Sequence, residues 1–338
     1  MPPMNKIAVN GRCLTRRITG VERYAREISK RLAGSHILQP QNGTGQVAGN
    51  LWEQVILPGQ LKHDEILWSP ANAGPWLVKN QVITIHDASV FDHPEWFKPA
   101  FAAWTRLSWQ MLARRVRAII TVSNFSCERL KHHLKIPTEK IHVVHNGVGK
   151  PFAPQTQPRI DAVRSKYGIQ KPYFLFVGTI EPRKNLGGLL QAWNRAGITT
   201  HELFIAGARG RVFQPISGAP NIVYNVHDDD LPALYSGAAA FIIPSFYEGF
   251  GLTALEAMAC GTPVIASRTT VFPETLGEAA QFIDPYSVNQ LSDAMRAILE
   301  DSALAATLRK RGLEHASRFS WDESARKTQE IICAAGGS

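Results

Sequence analysis

Short apolar runs alternate along this chain with longer stretches in which apolar residues recur at helical spacing. Residues 7–9, 54–57, 66–68, 82–85, 118–122 and 141–144 are compact apolar runs and predict strands. Between them, residues 21–32, 99–115 and 123–134 predict helices, the last opened by Ser123 as its cap. Residues 39–49 are rich in Gly, Gln and Asn and predict a loop, and 150–159 carry Pro151, Pro154 and Pro158 and predict a linker. The alternation then restarts, with strands at 173–177, 202–206, 222–224, 240–243, 263–266 and 281–283. Helices follow at 185–196 and 252–260, and Gly261 stops the second. Strands alternating with helices predict parallel sheets covered on both faces. Two such runs predict an α/β chain of two doubly wound, Rossmann-like domains, residues 1–155 and 156–319, facing a central cleft.

In doubly wound sheets ligands bind beyond the carboxyl ends of the strands, so the strand-to-helix turns carry the chemistry. The run 240–243 leads into Pro244-Ser245-Phe246-Tyr247-Glu248-Gly249-Phe250-Gly251-Leu252-Thr253-Ala254-Leu255-Glu256. Gly249 and Gly251 permit tight backbone and close approach of a ligand. The helix starting at Leu252 offers its free N–H groups to an anion such as a pyrophosphate. Glu248 precedes that helix and Glu256 lies about one turn into it, so they reach different parts of one ligand and accept hydrogen bonds from its hydroxyls. A second turn, Gly178-Thr179-Ile180-Glu181-Pro182-Arg183-Lys184-Asn185, also joins a strand to a helix. Cations are unfavourable at a helix N-terminus, so Arg183 and Lys184 there point to a bound phosphate. Gly207-Ala208-Arg209-Gly210 is expected to border a nucleotide, although it lacks the full dinucleotide spacing. Asp228-Asp229-Asp230 has the look of a metal motif but precedes a helical stretch, and it is expected to cap that helix, with no metal.

Composition bounds the rest. At 338 residues and 44% apolar content the chain exceeds one ordinary core, and its mean hydropathy of −0.13 is that of a globular protein. No apolar run reaches membrane-spanning length, and the first six residues lack the apolar stretch of a secretory signal. Cys13, Cys127, Cys260 and Cys333 are too scattered for a zinc or disulfide framework. A cytoplasmic location is the expectation. Of the charges, 20 Lys/Arg against 10 Asp/Glu fall in residues 1–150, and 17 against 18 in the remainder. A basic first half suits an anionic acceptor or an anionic membrane, and no nucleic-acid module accompanies it. Residues 94–117 interleave Trp96, Trp104 and Trp109 with Arg106, Arg114, Arg115 and Arg117. That pattern fits a membrane interface or lipid-linked acceptor, and equally a buried helix with a basic end.

These motifs together resemble the retaining GT-B glycosyltransferases of family four (glycosyl transferases group 1), most strongly over residues 174–276. The E-x7-E pair is Glu248 and Glu256, and 178–185 is similar to the family's phosphate-binding turn. The resemblance implies that Lys184 and Arg183 hold the donor diphosphate, Glu256 the ribose hydroxyls and Glu248 the sugar hydroxyls. The backbone of Gly249, Phe250, Gly251, Leu252 and Thr253 would line the sugar and phosphates, with Gly178 and Gly207 beside them. Thr19-Gly20-Val21-Glu22-Arg23-Tyr24 resembles the family's first glycine loop, which puts Gly20 near the donor phosphate, and His86 matches a histidine beside the donor sugar. The last helix, 320–338, is similar to the family's terminal helix, which crosses back onto the first domain. The chain departs from the family at Thr179, where many members carry arginine, and at Val148-Gly149, where an acidic residue is usual. The Glu-Pro-Arg-Lys-Asn form of the turn looks like that of bacterial mannosyltransferases of surface polysaccharide assembly. What is implied is retaining, metal-independent transfer of mannose from GDP-mannose to a glycan or polyprenyl-linked acceptor at the inner face of the plasma membrane. UDP- or dTDP-sugars are the alternative donors. A sugar-nucleotide epimerase, a phosphorylase, and a non-catalytic glycan or lipid binder are the rival classes.

Overall fold

The computed structural model describes residues 6–16, 18–40, 45–209, 222–224 and 226–336. Six parallel strands make the first sheet: β1 (Lys6–Asn10), β2 (Ser35–Leu38), β3 (Glu65–Ser69), β4 (Gln81–Thr84), β5 (Ala118–Thr121) and β6 (Ile141–Val143), in the order β2-β1-β3-β4-β5-β6. Six more make the second: β7 (Tyr173–Ile180), β8 (Glu202–Arg209), β9 (Ile222–Tyr224), β10 (Ala240–Ile243), β11 (Val264–Ser267) and β12 (Gln281–Ile283), in the order β12-β11-β10-β7-β8-β9. The central strands are buried along their whole length, as Ala-Phe-Ile-Ile in β10 and Ala-Ile-Ile-Thr in β5. Strands covered on both faces read as continuous apolar runs, which is why the sequence exposes them. Phe174, Leu189, Ile205, Ile242, Ile265 and Met295 knit the second core. Each such side chain adds about 1.5–3 kcal/mol by leaving water.

The chain divides into two compact units. One holds residues 1–92, 99–147 and 320–338, and the other holds 93–98 and 148–319. Helix Trp321–Gly336 packs on helix Gly20–Ser29 and on β3, β4 and β5, so it belongs to the first unit. Among the described residues, no helix is long and apolar enough to cross a membrane, and the four cysteines are free.

Several expectations need correction. Residues 54–57 are helical, not a strand. A π-helical segment, Trp52–Ile56, joins helix Gln46–Leu51 to Leu57–Gln60. The β-branched pair Val55-Ile56 suggests a strand, but the segment buries Trp52, Glu53 and Leu57 at helical spacing and leaves Val55 and Ile56 exposed. The expected loop 39–49 is therefore helical from Gln46 onward, and its residues 41–44 lie outside the described residues. Strand β2 was not predicted, because it is a half-exposed edge strand without an apolar run. The linker expected to end at 159 is already helix from Gln157, where Pro158 serves as a helix starter. Asp230 stands at the N-cap of helix Leu231–Ser236, where the sequence put it, but its side chain makes no cap hydrogen bond. It is 3% exposed and accepts from Arg159 (2.7 Å), Lys166 (2.6 Å) and Tyr167 (2.8 Å). Burial pushes its carboxyl up, but these partners outweigh burial and hold it below the usual range.

Candidate active site

In the second sheet the chain runs from β7 to β8 and β9 on one side, then returns to place β10 on the other side of β7. This reversal is the topological switch point of the sheet, where a crevice opens beyond the strand ends. The two turns singled out by sequence are the ones that leave β7 and β10. They are tied together directly, since the Phe246 N–H donates to the Arg183 carbonyl at 2.7 Å.

β7 continues to Ile180, three residues beyond its predicted end, and delivers Glu181 and a short 3-10 turn, Pro182–Lys184. Asn185 adopts φ +53° and caps helix Leu186–Ala196 by accepting from the Gly188 N–H (3.2 Å). Its amide also donates to the Pro285 carbonyl at 2.7 Å, anchoring the turn to the segment after β12. On the other turn, Gly251 has φ +85° and leads into helix Leu252–Ala259, whose start has no side-chain cap. A Cβ at Gly251 would lie 2.7 Å from the Phe272 ring.

These turns bring four charges into one cluster. Lys184 Nζ donates to Glu248 Oε1 at 2.5 Å, and Arg183 Nη1 to Glu248 Oε2 at 3.2 Å. Arg183 Nε pairs with Glu181, and Ser245 donates to Glu248 at 2.8 Å. Glu181 is 1% exposed, Glu248 6% and Lys184 8%. The two carboxyls are driven in opposite directions. At Glu248 burial alone would raise the pKa, but Lys184 and Arg183 outweigh it and hold the group below its ordinary value. At Glu181 burial prevails over the pull of Arg183 and Lys184, and Glu248 adds to it, so the group lies above its ordinary value. The cluster is thus a preorganised cationic pair whose counter-ion is Glu248.

Gly178 and Gly207 face each other across the β7–β8 register. A Cβ at Gly178 would meet the Lys184 side chain at 3.7 Å, so Gly178 borders the cluster. Gly207 ends the described part of its predicted turn, because Gly210 lies outside the described residues and of Ala208 and Arg209 only the strand backbone is described. Gly249, Phe250, Leu252 and Thr253 follow Glu248 along the turn, and Phe250 packs edge-on against Phe319 (5.9 Å). Glu256 is 2% exposed and accepts from the Tyr235 hydroxyl at 3.4 Å. The sequence separated Glu248 from Arg183 and Lys184 by task, and the structure joins them. It also adds three residues that the sequence passed over. Glu181 and Ser245 lie inside the quoted motifs, and Ser245 precedes Glu248 by three. Thr270 sits at φ +53° and accepts from the Glu248 N–H at 3.3 Å, with no signal in the sequence.

His86 and Gly20 belong to the first unit. His86 follows β4, is 7% exposed, and its Nε2 donates to the Pro70 carbonyl at 2.9 Å, which fixes that tautomer. Its ring packs edge-on against Tyr24 (4.7 Å), and burial lowers its pKa despite the Pro70 bond. Gly20 opens helix Gly20–Ser29 and a Cβ there would meet nothing within 4 Å, so internal packing does not require the glycine. The first sheet has its own switch point between β1 and β3. There Glu53 accepts from Asn10 and from Arg12, each at 2.7 Å, at a small pocket that Arg16 and Pro70 also line. Cys13 beside them is pushed up to about 12 by burial and by Glu22, so it stays a thiol.

Residues 160–315 match the model of the glycosyl transferases group 1 family, and residues 63–149 that of glycosyltransferase family 4. The chain is 33% identical over 278 residues to O-antigen chain mannosyltransferase B of Escherichia coli, a match covering 78% of this chain and 73% of that protein. It is 28% identical over 228 residues to the serotype-specific mannosyltransferase WbdA of Escherichia coli, covering 62% of this chain and 28% of WbdA. In three dimensions it is similar to sucrose-phosphate synthase from Thermosynechococcus elongatus, with a TM-score of 0.76 at 22% identity over 96% of this chain and 97% of that one. At that identity the likeness speaks for the fold, which is GT-B. The chain therefore belongs to the glycosyl transferases group 1 family and is a glycosyltransferase.

Proposed function

We propose that the chain moves mannose from GDP-mannose to a hydroxyl of a glycan or polyprenyl-linked acceptor in bacterial surface polysaccharide synthesis, with retention at the anomeric carbon. The observation that carries this is the Lys184–Arg183–Glu248 cluster at the switch point of the second sheet. The named activities of the Escherichia coli mannosyltransferase relatives support mannose as the sugar.

Breaking the bond between the anomeric carbon and phosphate leaves negative charge on the diphosphate. Lys184 and Arg183 exchange Glu248 for that diphosphate, joined by the N–H groups at the start of helix Leu252–Ala259, and stabilise it electrostatically. Glu248, released from the cations, accepts from donor sugar hydroxyls, and Glu256 accepts from the ribose. The departing phosphate oxygen takes the proton of the acceptor hydroxyl on the face it leaves, so the new bond forms on that same face. Gly178, Gly207, Gly249, Phe250, Gly251, Leu252 and Thr253 line the donor. His86 and Gly20 are proposed for its sugar and phosphate ends. Two side-chain cations and a helix end supply the charge that a metal would bring, and activity is expected to survive chelation. A thermal-shift series with GDP, UDP and dTDP tests the donor, since a nucleotide bound only to the folded chain raises its midpoint. A rise with UDP or dTDP but none with GDP would assign the alternative donors. Consumption of donor without any acceptor would favour an epimerase.

A further inference from the structure

Nine large apolar side chains stand exposed among the described residues, and all but Tyr286 belong to the first unit. Val47, Leu51 and Val55 follow at every fourth position and are 84%, 61% and 63% exposed, which makes one apolar stripe along residues 46–60. The other side of that stretch, with Trp52 and Leu57, is buried. Gln54 ties the stretch to the next segment, donating to the Gly74 carbonyl and accepting from the Trp76 N–H, both at 3.0 Å. Trp76 lies against Trp104 with ring centroids 4.9 Å apart, and its Nε1 donates to Ser108 at 2.9 Å. Leu77, Trp104 and Leu107, on the segments so joined, are also exposed at 74%, 46% and 52%, while helix Pro99–Arg115 buries Trp109 and Leu112 inward. Exposed Lys79, Arg106, Arg114 and Arg115 lie on the same segments, and Arg115 donates to the Trp76 carbonyl at 3.2 Å.

An amphipathic helix ordinarily turns its apolar stripe to the core, and an exposed apolar face with a polar rim marks an interaction surface. Tryptophans and arginines beside aliphatic residues suit the headgroup level of a bilayer. A second copy would set one basic rim against another, in the half of the sequence where Lys/Arg outnumber Asp/Glu two to one. An anionic lipid surface has the complementary charge. We propose that this face rests on a bilayer containing anionic lipids, with Val47, Leu51, Val55 and Leu107 in the acyl boundary and the arginines at the phosphates. The proposed polyprenyl-linked acceptor gives such docking a use, but the surface itself does not depend on that activity.

The test is cosedimentation of the full chain with vesicles of phosphatidylcholine alone or mixed with phosphatidylglycerol. The wild type is expected on the mixed vesicles, less so as salt is raised. Leu51→Asp combined with Val55→Asp lowers the partition at least about tenfold, and Arg114→Gln lowers it about fivefold. Both leave the melting midpoint and transfer to a water-soluble acceptor as in the wild type. Equal partition of the wild type onto both vesicle types, or an unaltered partition in the Leu51/Val55 variant, overturns the proposal. So does a dimer that this variant dissolves in the absence of vesicle binding. A chain that binds mixed vesicles and loses them with the variants, yet transfers no sugar, upholds the docking surface and refutes the proposed activity instead.

Discussion

Lys184→Met separates the structural work of the ion cluster from its chemical work. The substitution removes the 2.5 Å partner of Glu248 and leaves a carboxylate that is 6% exposed with Arg183 at 3.2 Å and Ser245 at 2.8 Å. Breaking a buried pair costs about 3–5 kcal/mol when nothing else meets the stranded charge. Two partners remain, so the expected loss is about 2–3 kcal/mol, or roughly 4–10 °C in the melting midpoint. Glu248→Gln strands Lys184 in turn. In the double variant neither charge is stranded, and it should recover about 1–3 kcal/mol relative to the sum of the single losses. Turnover behaves differently, because loss of one preorganised cation at the leaving phosphate costs about 10²–10³ in kcat. The double variant therefore regains stability but not activity. Thermal unfolding and initial rates with saturating donor measure both quantities on the same samples. Full activity in Lys184→Met, or activity returning together with stability in the double variant, would refute the assignment of Lys184 to the leaving phosphate.

Gly251→Ala adds a methyl at φ +85° and 2.7 Å from the Phe272 ring, and should cost about 2–3 kcal/mol in thermal unfolding. Glu248 has a folded-state pKa below its unfolded one, so its stabilisation is complete above the ordinary glutamate value and is lost as pH falls through the folded value. Comparing urea midpoints of wild type and Glu248→Gln across acid pH reads that loss. Glu181 is shifted the other way, so its ionisation opposes folding as pH rises, and any advantage of Glu181→Gln over wild type should shrink toward acid pH. His86 is held neutral by burial, so its contribution is present above the ordinary histidine value and is lost below it, a dependence that His86→Gln should flatten in the same titration.

The parts of the fold that were legible are those where one force dominates. Buried parallel strands such as β5 and β10 must be apolar throughout, and the Pro99–Arg115 helix has the bounds its pattern implies. The misread parts are those where tertiary contacts override local preference. Val55-Ile56 has the composition of a strand, yet Asn10 and Arg12 hold Glu53 and the segment winds as a π-helix. Asp230 has a cap's position in sequence but turns to three partners from the helix Gln157–Tyr167, which no local pattern announces. At the site, glycines and cations in two turns were readable because each turn is a local motif. That Glu248 would neutralise Arg183 and Lys184, 65 and 64 residues before it in sequence, was not, because it follows from β7 and β10 being sheet neighbours.

The central claim is that this site transfers a mannosyl group from GDP-mannose with retention. The most direct measurement supplies GDP-mannose labelled in the sugar, with and without a polyprenyl-linked glycan, and follows both the label and the anomeric configuration of the product. Label passing to the glycan as an α-mannoside, with GDP released only when the glycan is present, is the predicted result. A β-linked product, or donor consumed equally without acceptor, would contradict it.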